Sequence, residues 1–199
     1  MKEKVKIFTI FAIILSMTGC LAGCGSGETA NNPGSRAIKE KINIKDIAWN
    51  VDEGIVGGER YVLLSYTNDT QCTITNFEII FNEKDGITEE EKSDFYSDIQ
   101  KKFELSDEDM DDLKSRSISM HAETDRVVKP GESISNVNCY YYGGSFYLKD
   151  INHYNLVEPD IATIKYLEED KIFTVYYDYG SKKYSTEEKT EIAYQWSQT

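Results

Sequence analysis

The chain has 199 residues, a formal net charge of −13, a sequence pI near 4.6, and 14 tyrosines against 3 prolines. Such an acidic surface argues against nucleic acid, whose phosphates need Lys and Arg, and against electrostatic docking on anionic lipid. The length suits a short leader followed by one domain of ordinary size, large enough to bury a core.

The N-terminus carries Lys2, Lys4 and Lys6, then an almost unbroken apolar run from Val5 to Leu15, then small residues leading to Cys24. That order of charge, apolar stretch and small residues predicts a signal peptide over 1–23. The apolar run is shorter than the roughly 20 residues that span a bilayer. Leu21-Ala22-Gly23-Cys24 resembles the bacterial lipobox; Met17-Thr18-Gly19-Cys20 fits it less well. The resemblance implies cleavage before Cys24, a diacylglyceryl group on its thiol, and an extracytoplasmic domain lipid-anchored to the cell membrane. Two acyl chains hold a protein stably where one does not. The leader carries +2, so the remainder carries −15. Gly25 to Ser35 reads as a flexible linker, so residues 24–40 are expected to tether a domain spanning 41–199.

Within that domain, Ile42 to Val51 predicts a first strand, with Ile47, Trp49 and Val51 alternating with Ala48 and Asn50. Gly54, Gly57 and Gly58 mark a turn region. Tyr61 to Tyr66 is a continuous apolar run, as in a strand buried on both faces, and Asn68-Asp69-Thr70 ends it with turn chemistry. A third strand runs from Cys72 to Phe81 with Phe77, Ile79 and Phe81 on one face. The period then changes. Thr88 with Glu91 makes a capping box, and Phe95, Ile99 and Phe103 form one helical stripe. Ser106 starts a second helix with Asp107, Glu108 and Asp109 in its first turn and a Leu105–Met110 staple across the cap. The two make a helical hairpin inserted at about 88–116.

Strands resume with Ile118, Met120 and Ala122 alternating with polar residues. Lys129-Pro130-Gly131-Glu132 is a turn, and Ser133 to Tyr142 a strand with a bulge near Asn136, where the alternation shifts. Gly143-Gly144 leads into a strand over Phe146 to Ile151, and Glu158-Pro159-Asp160 reads as a turn. Ile161 to Leu167 and Ile172 to Tyr179 form a hairpin, and Ser185 with Glu188 suggests a final capped helical turn packed by Tyr194 and Trp196. Short strands with regular turn signals, and no strand–helix rhythm, predict a mainly β fold: an antiparallel Ig-like β-sandwich with an inserted helical hairpin.

Asn68-Asp69-Thr70, Phe77 to Gly86, and Lys129-Pro130-Gly131-Glu132-Ser133 together resemble the FxLYD-like immunoglobulin-type domains of bacterial envelope lipoproteins. Glu78, Ile80, Phe81 and Asn82 stand where those domains carry Phe, Leu, Tyr and Asp. The resemblance covers about half of the mature chain and implies an Ig-like fold without a catalytic role.

Chemistry-bearing motifs are sparse. His121 and His153 have no ligand at a recognised metal spacing, and His153 reads as a solvated loop residue, so no metal and no cofactor are expected. Neither a Gly-x-Ser-x-Gly elbow nor a phosphate loop occurs. The acidic run Asp107 to Asp112 lacks the spacing of a calcium loop. Cys72 and Cys139, the cysteines left after Cys20 and Cys24, can form a disulfide in an exported domain or stay as thiols. Tyr140, Tyr141, Tyr142, Tyr147 and Tyr154 cluster around Gly143-Gly144. Alternate strand residues face opposite sides, so Tyr140, Tyr142, Tyr147 and Tyr154 are the candidate binding patch, facing an envelope protein or a glycan. The expected function is a non-enzymatic binding or assembly module. A solute-binding lipoprotein and an envelope hydrolase are the alternatives, the first needing an enclosed pocket and the second convergent titratable groups.

Overall fold

The computed structural model of the protein describes residues 41–141 and 146–192, with the backbone alone over 187–192. The signal peptide, Cys24, the linker, Tyr142, Gly143-Gly144, Tyr194 and Trp196 lie outside the described residues. The described chain is mainly antiparallel β. Its strands are β1 (Ile47–Val56), β2 (Glu59–Asn68), β3 (Thr73–Glu83), β4 (Ser119–Thr124), β5 (Ser133–Tyr141), β6 (Phe146–Tyr147), β7 (Val157–Glu168), β8 (Lys171–Asp178) and β9 (Lys183–Ile192). Neighbours follow the order β1-β2-β5-β4-β3-β7-β8-β9, with β6 beside β5.

β5 is the corner of the sandwich. Its first half, Ser133 to Asn138, pairs with β2; its second half, Cys139 to Tyr141, pairs with β4. Between Leu64 and Tyr66 the register slips, so Ser135 and Asn136 together face Ser65. Asn136 takes φ 60 there, a left-handed conformation that Asn tolerates better than most residues. The bulge expected from the broken alternation lies within the half of β5 that pairs with β2, just before Cys139, where the partner becomes β4.

The inner faces carry the apolar half of each alternation. Val62, Leu64 and Tyr66 of β2 meet Phe77, Ile79 and Phe81 of β3, with Met120, Ala122, Ala162 and Ile164 around them, all at most 2% exposed. Tyr66 and Phe77 rings lie 4.8 Å apart. At the open side Trp49 of β1 packs edge-on against Phe81 at 5.8 Å and Tyr179 at 6.3 Å, which closes the first sheet over the last strands. β1 and β2 are joined by Gly57-Gly58 at φ +62 and +87, the positive pair that a two-residue hairpin with the right twist requires.

The helical insert forms as its caps dictate. α1 (Glu89–Phe103) starts at Thr88, whose side chain accepts the Glu91 amide while Glu91 reaches back to Thr88. α2 (Asp107–Lys114) repeats the box with Ser106 and Asp109. Phe95, Ile99 and Met110 are buried against the sandwich.

Four expectations change. The first strand begins at Ile47, after a 3-10 turn at Ile44–Asp46, and Ile42, ahead of that turn, and Ile44, within it, pack into the core. The strand expected over 146–151 is two residues long, and Ile151–Tyr154 is a short helical turn, α3, capped by Asp150. Glu158-Pro159-Asp160 is not a turn but a bulge inside β7: Ile80 faces Ile161 and Phe81 faces Pro159, leaving Asp160 as the extra residue. A bulge is one of the few places a sheet accepts Pro. Last, Ser185 with Glu188 does not start a helix. The segment pairs along β8 as β9, where Tyr177 faces Tyr184. A Ser-x-x-Glu spacing also occurs in polar strands, and pairing with the otherwise free edge of β8 outweighs the local capping signal.

Candidate functional site

The outer face of the sandwich carries one continuous rung. Tyr147 of β6 faces Tyr140 of β5, Tyr140 faces His121 of β4, His121 faces Ile80 of β3, and Ile80 faces Ile161 of β7. Each is the outward member of its alternation, since Tyr141, Met120, Ala122, Ile79, Phe81 and Ala162 point into the core. At about 4.8 Å per strand the five residues span roughly 19 Å. Tyr147 is 44% exposed and the other four are half-buried.

The rings stand side by side. Tyr140 lies 5.0 Å from Tyr147 at 32°, and His121 lies 5.3 Å from Tyr140 at 22°. Tyr61 of β2 closes the end of the row edge-on to Tyr147 at 5.6 Å. Lys149 sits 5.0 Å over the Tyr61 ring and pairs with Glu59, which also accepts the Tyr61 hydroxyl at 3.0 Å. His121 stacks on Tyr140, Tyr140 is tilted against Tyr147, and Tyr61 meets Tyr147 edge-on, so the rings form one contiguous aromatic surface.

Carboxylates flank the rung. Glu123 and Glu78 face each other across β4 and β3, and the Asn76 amide donates to Glu123 at 2.9 Å and Asp125 at 2.7 Å. Burial, then Glu123, pushes the Glu78 carboxyl above the usual range. On the other side Asn82 donates to Asp160 at 2.7 Å. Burial lowers the proton affinity of His121, with Glu123 opposing, and its Nδ1 is buried without a hydrogen-bond partner.

Of the sequence-predicted patch, Tyr140 and Tyr147 are brought together. Tyr154 is not with them: it packs edge-on against Phe81 at 5.2 Å, and burial pushes its hydroxyl up to about 12. The start of α3 turns it inward, where a continued strand would have left it on a surface. Sequence reading missed Tyr61 and His121, which only strand register and sheet bending bring to Tyr147 and Tyr140.

His153 is also not the solvated loop residue expected. It is 5% exposed, its ring is edge-on to Phe95 at 4.9 Å, and its Nδ1 is 2.6 Å from the Tyr141 hydroxyl. Its Nε2 points at Asp98 Oδ2, 3.5 Å away, with Asp150 completing a group of three potential ligands. Cys72 and Cys139 are free thiols. Cys72 is half-buried with its Sγ 3.9 Å from the Lys41 carbonyl, and Cys139 is buried on β5 beside β4. Two open clefts of about 360 and 490 Å³ lie where β3 meets the insert, lined by polar residues such as Glu83, Lys92 and Ser117. No described helix is long and apolar enough to cross a membrane.

Comparison of the chain with protein-family models, with curated proteins and with solved structures gives no significant match.

Proposed function

We propose that the protein is a non-catalytic binding module of a bacterial envelope, carried outside the cytoplasm on a lipid at Cys24, and that it engages a protein partner through the rung Tyr147-Tyr140-His121 with Tyr61. The observation that supports this reading is the row of aromatic rings on an outer sheet face, bordered by Glu59, Glu78, Glu123 and Asp125. Tyrosines of this kind bring large apolar area and a polar tip at low entropy cost, which suits protein interfaces. The bordering carboxylates favour a partner with basic residues around an apolar centre. The lipobox and linker would tether the domain to the membrane, where diffusion in two dimensions raises the local concentration of other envelope proteins.

The test places a photo-cross-linking residue at position 147 of the membrane-anchored chain, and at position 173 as control. Phe173 is 39% exposed and its ring stacks on the inner-face residue Tyr166. A discrete protein adduct from position 147 alone, lost on Tyr61→Ala, is the expected result. No adduct, or the same adduct from both positions, would remove the rung as the binding face. Separately, radiolabelled palmitate should enter the wild-type chain and not Cys24→Ala.

A further inference from the structure

We propose that Asp98, Asp150 and His153 bind a divalent metal ion of the zinc class and so fasten the helical insert to the α3 turn. This site is separate from the aromatic rung and does not depend on it. The three side chains come from two elements. Asp98 projects from α1, while Asp150 and His153 stand three residues apart at the start of α3, on one side of a single turn. One carboxylate oxygen from each Asp and a His153 ring nitrogen all lie within 4.8 Å of one another.

The His153–Asp98 spacing is that of two ligands around an ion. His153 Nε2 and Asp98 Oδ2 are 3.5 Å apart. That is longer than a normal N–H···O bond, but it matches the edge of a tetrahedron with bonds of about 2.1 Å, which is roughly 3.4 Å. Asp150 is already held, because its Oδ1 accepts the Asn152 amide at 2.9 Å. Asp98 has a side chain 63% exposed, so it is free to swing the short distance needed to complete the set. Imidazole with two carboxylates is a donor set suited to zinc, and three protein ligands leave a fourth position for water.

His153 is prepared as a ligand. Phe95 and Tyr141 pack against its ring at 4.9 and 5.8 Å and fix its plane. With Nε2 on the ion, Nδ1–H donates to the Tyr141 oxygen at 2.6 Å, the outer contact that sets tautomer and direction in metal-bound histidines. Burial lowers the proton affinity of His153, and Lys102 does so too, while Asp150 and Asp98 raise it.

The test is calorimetric titration of Zn²⁺ into the full chain, with thermal unfolding followed in parallel. The wild type should bind one ion saturably and melt at a temperature that rises with Zn²⁺. Asp98→Asn should weaken binding by more than about tenfold, with its metal-free melting temperature unchanged because the side chain is exposed. Asp150→Asn should do the same to binding. Zinc should also shift the His153 Nε2 resonance in the wild type. If both variants bind as the wild type does, the ion is on cysteines or scattered surface carboxylates and the proposal fails. Absence of saturable binding, or an unmoved His153 resonance, also overturns it.

Discussion

The Trp49 indole N–H donates to the Tyr179 hydroxyl at 2.9 Å, across the gap between the first strand and the end of the last hairpin. The two residues are 130 positions apart. Their rings also meet edge-on, and burial pushes the Tyr179 hydroxyl up to about 12. The contact closes the sandwich where no backbone ladder joins β1 to β8. Tyr179→Phe should cost about 1 kcal/mol, the net worth of one partly buried hydrogen bond. Trp49→Ala should cost roughly 3–5 kcal/mol, since it also empties the space against Phe81. Urea unfolding of both single variants and the double variant measures the coupling. Full additivity would show that the hydrogen bond contributes nothing.

Asn68 explains why two turns 60 residues apart belong together. Its side-chain amide donates to the Cys72 carbonyl at 2.9 Å and the Val128 carbonyl at 2.8 Å, and its oxygen accepts from the Thr70 amide and hydroxyl. Its backbone amide donates to Glu132 and its carbonyl accepts from Gly131. The Asn68 turn and the Pro-Gly-Glu turn, noticed separately in the sequence, are one hydrogen-bonded unit. Asn68 is fully buried with every polar group satisfied. Asn68→Ala leaves those carbonyls and the Thr70 groups unmatched and should destabilise by roughly 3 kcal/mol. Asn68→Asp should be about as costly at pH 7, because it sets a carboxylate against two carbonyls, and should recover in part under acid. Chemical denaturation at pH 7 and pH 4 decides both.

Much of this was legible because it is local. The capping boxes at Thr88 and Ser106, the inward stripe Phe77, Ile79, Phe81, and the break of alternation at Asn136 are set by neighbours within a few residues. What escaped was set by distant partners. β9 forms because β8 offers an unpaired edge, not because its own residues demand a strand. His153 is buried because α1 lies over it, and the Asp-x-x-His spacing from Asp150 carries no weight until Asp98 arrives from another element. Half of the aromatic rung was visible as a run of tyrosines. Its other half needed the register that sets His121 beside Tyr140 and the bend that brings Tyr61 to Tyr147.

The two domain cysteines should behave as unequal free thiols. Burial pushes the Cys139 thiol up to about 12, and burial and Glu168 raise that of Cys72 more modestly. The thiolate is the reactive form. In the native chain, alkylation at pH 8 should label Cys72 slowly and Cys139 hardly at all; in denaturant both should label fully without reductant. Peptide mass spectrometry reads this directly. A Cys72–Cys139 cross-linked peptide under non-reducing conditions would contradict it.

His121 and His153 should give the protein an acid-sensitive window well above the carboxylate range. Both have proton affinities lowered in the fold, by burial first. The unfolded chain therefore binds more protons near and below pH 6.5, and stability falls as pH drops from there through the lower folded values. Glu78 acts oppositely: its raised carboxyl takes up a proton more readily in the fold, so it adds stability as pH falls toward 4.5. His121→Phe isolates one contribution. It keeps an aromatic ring against Tyr140 and removes the unpartnered Nδ1 together with the ring's capacity to take up a proton. Unfolding free energy at pH 7.5 should rise by about 1 kcal/mol, and its decline between pH 6.5 and 5 should become shallower by His121's share, leaving that of His153. An unchanged slope would mean that His121 titrates alike in the folded and unfolded chain, and that its burial on the rung carries no electrostatic cost.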